Sequence, residues 1–188
     1  MEIPHKLPVR KAHHLPIDLY SQHGAYFFTI CTYKRKYTLG RIHDGEMIFR
    51  SLGRLVERAW QELPDHWPHL VLDVNVVMPN HFHGLLLYLG SAEAGSPSAP
   101  PTAEFSLSKV INGFKAGVTR RARQSLSLSL GPVWQRDYWD HVVRDEKDLY
   151  DISEYIVNNP LAWHLDRENR KRVGLHPLYA KLGKQADL

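Results

Sequence analysis

Two histidines one residue apart, His81 and His83, lie inside the apolar run "VVMPNHFHGLLLYLG" from Val76 to Gly90. Side chains alternate faces along a strand, so both rings would project together, about 7 Å apart, with Phe82 on the other side. Ring nitrogens so placed can converge on one cation. A helix would splay the same pair by about 200°, so the chemistry depends on an extended backbone. An apolar strand has little reason to carry two imidazoles on one face unless a ligand or metal compensates them. The alternative is a pair of satisfied histidines, one near a turn and one bonded to backbone. Two histidines are too few for a structural zinc site, and a chain with one cysteine has no thiolate pair to complete it. An open cation site finished by water, substrate oxygens and another side chain fits better.

The second chemical candidate is "DISEYIVNNP". Tyr155 and Asn159 are four apart and share a face if a helix reaches that far, although Pro160 biases Asn159 away from helical geometry. A tyrosine hydroxyl can attack phosphorus when a metal polarises the phosphate, and an amide oxygen one turn on could help hold that metal. The plain alternatives are a core aromatic at Tyr155 and a helix cap at Asn158 or Asn159. Tyr150, Tyr138 and Tyr88 compete for the role on position alone.

The chain carries a formal charge of +4 with an isoelectric point near 9.2. Distribution says more than size. "KVINGFKAGVTRRAR" holds Lys109, Lys115, Arg120, Arg121 and Arg123 with no acid among them, and "DRENRKRVGLHPLYAKLGKQ" is basic again. Such patches suit a polyanion, nucleic acid being the commonest, or simply form a solvated helix face. Arg136, with Trp134 or Trp139 nearby, could grip unstacked bases; core packing is the ordinary role of such tryptophans.

These groups need elements to hold them. "AYFFTICTYKRK" reads as a strand running into a basic turn, and "GEMIFRSLGRLVERAWQELPDHWP" as a helix that Pro64 stops. "HLVLDVNVVMPNHFHGLLLYL" reads as two strands about the break Met78-Pro79-Asn80. "FSLSKVINGFKAGVTRRARQ" is a second amphipathic helix, "VWQRDYWDHVVR" a further strand, and "EKDLYDISEYIVNN" a helix that Asp145 caps. This strand–helix–strand–strand–helix–strand order predicts an α+β fold with a ferredoxin-like antiparallel sheet, helices on one face, and an extra tyrosine-bearing helix after it. No internal repeat or second core appears, so residues 1–188 are expected to form one domain. It would have an irregular arm over 1–24, a flexible Gly/Ser/Pro/Ala loop over 90–104 and a basic segment over 164–188.

Bulk composition narrows the classes. With 43% hydrophobic and 23% charged residues and a mean hydropathy of −0.39, the chain reads as an ordinary globular protein. Its apolar runs are too short to span a bilayer, and the first residues lack the apolar core of a secretory signal. Cys31, in "FFTICTY", is expected to be a small core residue in a reducing, cytoplasmic compartment. The absence of a Gly-rich phosphate loop argues against a nucleotide cofactor.

Taken in order, "MPNHFHGLL", "VWQRDYWDHVVRD" and "YIVNNPLAW" resemble the REP-associated tyrosine transposases, relatives of the small insertion-sequence transposases with an HUH motif and one catalytic tyrosine. The resemblance spans roughly Tyr26 to Trp163. It implies that His81 and His83 bind a divalent ion, Mg²⁺ or Mn²⁺, that Asn159 is a further ligand, and that Tyr155 is the nucleophile. It implies a single-stranded DNA substrate with REP-type hairpins, a 5′-phosphotyrosine link with a free 3′-hydroxyl, and a monomer more than a dimer. A hairpin-binding protein without chemistry, and a phosphodiesterase using water, are the competing readings. The tyrosine reading requires the phenol and the imidazoles to meet around one ion, with a groove by which a strand reaches the phenol; the two competing readings do not need the phenol.

Overall fold

The computed structural model describes residues 24–89, 106–126 and 131–179. The expected arm over 1–24, except Gly24, and the whole of the expected loop over 90–104 lie outside them, as do residues 180–188 of the expected basic segment.

β1 (Ala25–Cys31) is dense in aromatic and β-branched residues, and it occupies the middle of a four-stranded antiparallel sheet. It pairs on one side with β5 (His81–Tyr88) and on the other with β6 (Trp139–Val142); β4 (Leu70–Val77) pairs with the far side of β5. The strand order β4-β5-β1-β6, with helices in the chain between β1 and β4 and between β5 and β6, is the one the sequence order predicts. The turn Met78-Pro79-Asn80 joins β4 to β5 as expected.

Alternation along the central strands assigns each residue to a face. Phe28, Ile30, Phe82 and Leu86 pack against α1 (Ser51–Gln61) and α3 (Leu107–Ser125). Phe27, Leu85 and Leu87 pack against α4 (Glu146–Asn158) on the other side. The tyrosine helix therefore does not join its predecessors on one face. It covers the second, which would otherwise leave apolar residues of β1 and β5 in water. Asp145 caps α4 as expected, its side chain accepting from the Asp148 amide at 2.7 Å.

Three expectations change. Residues 46–49, read as the start of a helix, are β3 (Glu46–Phe49), paired with β2 (Gly40–His43) across the turn Asp44-Gly45. Both turn residues have positive φ, 49° and 75°, the geometry in which an Asp-Gly pair closes a two-residue hairpin. Pro64 does not end the helical stretch; it sits in the first turn of a short helix, α2 (Leu63–His66), where its missing N–H costs nothing. The strand expected across "VWQRDYWDHVVR" is limited to Trp139–Val142, and Trp134 instead makes an isolated bridge to Thr32 and enters the core. Among the described residues, no helix is long and apolar enough to cross a membrane.

Candidate metal centre and nucleic-acid interface

The register of β1 and β5 sets the first half of the site. His83 stands opposite Thr29 and His81 opposite Cys31, so both imidazoles rise from the face that α4 covers, while Phe82 points to the opposite core. Both histidines are fully buried. Their Nε2 atoms lie 3.0 Å apart. Ligand atoms about 3 Å apart match adjacent positions around an ion bonded at about 2.1 Å.

Asn80 settles the form of His81. Its amide nitrogen donates to the Glu168 carbonyl at 2.8 Å, which leaves its carbonyl oxygen to accept from His81 Nδ1 at 2.9 Å. His81 Nε2 is then the lone-pair nitrogen. Burial pushes His81 down to about 3, so the ring is neutral near pH 7, as a metal ligand must be. His83 Nδ1 is held 2.8 Å from Thr29 Oγ1. Each histidine thus has a partner that orients the ring and directs its Nε2 inward. Strand alternation alone would place Asn80 with Phe82 on the other face. It lies in the turn, where strand alternation does not apply.

α4 brings Tyr155 to the same place across 72 positions of sequence. Its hydroxyl is 3.0 Å from His83 Nε2. The third group is Asp166, from the segment after α4, whose Oδ2 lies 3.7 Å from His81 Nε2 and 3.9 Å from His83 Nε2. His81, His83 and Asp166 form a buried set of ligand atoms able to hold a metal ion. Asp166 Oδ2 accepts from the Tyr155 hydroxyl at 2.8 Å and from Asn159 Nδ2 at 3.0 Å, and its Oδ1 accepts from the Glu168 amide. Burial alone would raise its pKa, but the neighbouring His81 and His83 and the Asn159 donor outweigh that and hold the carboxyl below the usual range.

Asn159 keeps helical backbone angles, φ −56° and ψ −41°, in spite of Pro160. Its side chain reaches the centre through Asp166, and its Oδ1 is buried with no hydrogen-bond partner among the described residues. The His81 lone-pair nitrogen facing His83 Nε2, an ionised buried carboxylate and an unpartnered amide oxygen are a donor set suited to a hard divalent cation.

The phenol is closed in. Tyr155 is 2% exposed, and its hydroxyl also lies 2.7 Å from that of Tyr179, with the His176 ring against its own. Burial, then Tyr179 and Asp166, push the phenol well above its ordinary pKa, so it is protonated here. Two cavities flank it. One, of about 380 Å³, is lined by Tyr155, His176 and Glu154, and the other, of about 190 Å³, by Thr29 and Tyr179. The expected meeting of imidazoles and phenol is present; among the described residues, the phenol's oxygen is enclosed and no open groove leads to it.

The expected basic set divides. Lys115, Arg120, Arg123 and Arg136 line a groove of about 550 Å³ between α3 and residues 132–136. Lys115 is itself buried, and its ammonium donates to the Arg136 carbonyl at 2.7 Å, tying the two walls together. Arg121 points elsewhere and pairs with Glu62. Lys109 is exposed near the start of α3. Trp134 is core, its Nε1 donating to the Lys115 carbonyl at 3.2 Å; Trp139 is partly exposed. Cys31 is buried as expected, its thiol donating to Glu168 Oε2.

No protein-family model matches the chain. It is 33% identical over 175 residues to an uncharacterized protein of Haemophilus influenzae, covering 88% of this chain and 93% of that one. It is 27% identical over 146 residues to a second protein of that organism, which is assigned provisionally by name to the REP-associated tyrosine transposases; this match covers 76% of this chain and 73% of the relative. The fold matches the structure of a REP-associated tyrosine transposase bound to a REP hairpin, with a TM-score of 0.54 and 20% identity over 76% of this chain and 69% of that one. The chain is a distant relative of the REP-associated tyrosine transposases. The buried His-His-Asp group is consistent with the HUH motif of this family. Asp166 is the member that sequence reading missed, because an acid in a stretch dominated by arginine and lysine has no periodic signal.

Proposed function

We propose that this chain cuts and rejoins single-stranded DNA beside hairpins, on a ferredoxin-like scaffold, through a covalent link to Tyr155. The observation that carries the reading is the convergence of the Tyr155 hydroxyl with the buried His81, His83 and Asp166. His81, His83 and Asp166 would hold a divalent ion, Mg²⁺ or Mn²⁺, with Asn159 Oδ1 able to join them after its amide turns. Such an ion supplies charge withdrawal from the phosphate oxygens.

The residues of the chain supply the rest. In the forward step the Tyr155 oxygen bonds to phosphorus and the bond from phosphorus to the 3′-oxygen breaks, leaving a 5′-phosphotyrosine and a 3′-hydroxyl. The phenolic proton passes to Asp166 Oδ2, the carboxylate already accepting its hydrogen bond, and water protonates the departing 3′-oxygen. In the reverse step a 3′-hydroxyl attacks the phosphotyrosine and the phenol regains its proton, so joining needs no nucleotide cofactor. Asn80 and Thr29 fix the imidazoles. Lys115, Arg120, Arg123 and Arg136 line a groove suited to backbone phosphates, and Lys109, exposed near the start of α3, would add a further phosphate contact. Because Tyr155 is enclosed, the Tyr179 side chain has to move off its hydroxyl before a strand reaches it.

That enclosure also favours a second reading, a hairpin-binding protein without chemistry. Denaturing gels separate the two. Full-length protein is incubated with labelled stem-loops bearing single-stranded flanks and Mn²⁺ or Mg²⁺. A covalent adduct that needs the metal and disappears in Tyr155→Phe supports cleavage. Binding without adduct, unchanged by Tyr155→Phe, establishes the binder. Cleavage that survives Tyr155→Phe points to attack by water.

A further inference from the structure

Next to the His-His-Asp group, the cavity of about 190 Å³ shares two residues with the centre. Thr29 sits on its wall and holds His83, and Tyr179 sits on its wall and holds Tyr155. An occupant would be one side chain away from a metal ligand and from the phenol at once. The volume falls below the roughly 300–1,000 Å³ of sites for drug-sized molecules, so it admits one ring system and not two.

The walls are mixed in a particular way. Tyr138 and Trp139 contribute aromatic surface, and Trp139 is fixed by an edge-on contact with Phe27, with ring centroids 5.4 Å apart at 72°. Gln135 and Asp137 add an amide and a carboxylate that can bond a base edge. Arg35 and Arg167 stand at the mouth, their side chains 44% and 52% exposed. The carboxylate of Glu168, also on the wall, is occupied by Arg35 at 2.6 Å and by the Cys31 thiol, so it does not repel an anion as a free charge would.

The backbone that delivers Arg35 is strained. Lys34 and Arg35 both have positive φ, 53° and 50°, a region costly for residues with side chains. The turn is pinned by the Thr32 hydroxyl, which lies 2.7 Å from the Lys36 carbonyl and 3.0 Å from that of Asn80. Asn80 is the residue that orients His81, so the strained turn and the metal group share one support. Strain maintained beside a cavity is a mark of a used surface.

We propose that this cavity receives the single unstacked nucleotide next to the scissile phosphate, its base against Trp139 and Tyr138 and its phosphate between Arg35 and Arg167. Stacking on aromatic rings and bidentate pairing with guanidinium are how proteins hold single-stranded nucleotides. The inference rests on the single-stranded DNA reading above, and it differs from the α3 groove, which is larger and lined by cations suited to backbone.

The test uses full-length protein in EDTA, so that cleavage plays no part. Two probes are compared: a DNA stem-loop alone, and the same stem-loop with a randomised single-stranded flank carrying iodouracil. Expected is tighter binding of the flanked probe and photocrosslinks mapping to Tyr138 or Trp139. Trp139→Leu should reduce the preference for the flank by roughly 5-fold or more, the effect of losing one stacked base. Arg167→Gln, an exposed change, should reduce it in the same direction and serves alone if Trp139→Leu does not fold. A preference unchanged in Arg167→Gln, or crosslinks confined to α3 and residues 132–136, overturns the cavity assignment while leaving DNA binding intact. Failure of the wild-type protein to bind either probe overturns the DNA reading and this inference with it.

Discussion

The two faces of the sheet are built from the same strands and do opposite work. On one, Phe28 and Phe82 pack with Trp60 and Phe114, ring centroids 5.1 to 6.4 Å apart. On the other, His81, His83, Thr29 and Tyr155 take the corresponding central places and bond to one another. Successive residues of β5 supply both: His81, Phe82, His83. Even Gly84 belongs to the division, since a Cβ there would stand 2.9 Å from Phe28, Phe82 and Trp60. Around that polar centre the second face keeps its own apolar core, with Phe27, Leu85, Leu87 and Ile152, so packing and chemistry stand side by side there.

The largest expected contrast comes from Tyr155→Phe. It removes one oxygen, so metal-dependent adduct formation should fall to background on denaturing gels, while the ring's packing against Phe27 and His83 survives. On the opposite face, Phe82→Ala deletes a fully buried ring and should lower unfolding free energy by about 3–5 kcal/mol, measured by urea titration. An adduct that persists in Tyr155→Phe, or a stable Phe82→Ala, would end the comparison.

Metal sharpens it. A ligand that binds only the folded state at 100 times its Kd stabilises by about 2.7 kcal/mol. Mn²⁺ should raise the melting temperature of the wild-type protein and leave that of His83→Ala unmoved. Thr29→Val keeps the shape and removes the hydroxyl beside His83 Nδ1, so metal affinity should weaken by about 10-fold, read by titration calorimetry. A matching response to Mn²⁺ in His83→Ala would show that the ion binds elsewhere.

How much of this the sequence carried follows from the same contrast. Alternation is a strong signal, so the shared face of His81 and His83 was readable from spacing, and so was the helix that presents Tyr155. Asp166 was not. It belongs to no repeating pattern, follows a short helical turn over Trp163–Leu165, and lies in a stretch whose excess of lysine and arginine describes surface. Its position depends on chain folding back across α4, which neighbours in sequence do not encode. The hairpin of β2 and β3 was missed for another reason. The Asp44-Gly45 turn signal was present, but Ile48 fits both a strand's alternation and the apolar spacing of α1, and the longer helical pattern absorbed it. Asn80 shows where alternation ends: one residue before the strand, it turns to its neighbour His81 instead of away from it.

The smallest expected effect tests whether a division of labour extends to α3, where two arginines two positions apart face different surroundings. Arg123 lines the groove opposite residues 132–136, and Arg121 pairs with Glu62 after α1. Each phosphate contact on a single strand contributes about 0.7 to the slope of log affinity against log salt. Arg123→Ala should therefore flatten that slope by about 0.7 in anisotropy titrations, with stability unchanged. Arg121→Ala should leave the slope alone and cost about 0–1 kcal/mol in unfolding, the range for a partly exposed pair. The residues are of one type on one helix, so charge composition cannot distinguish them. An equal change in slope for both would mean that DNA meets a general positive field, and the groove would lose its claim to the backbone.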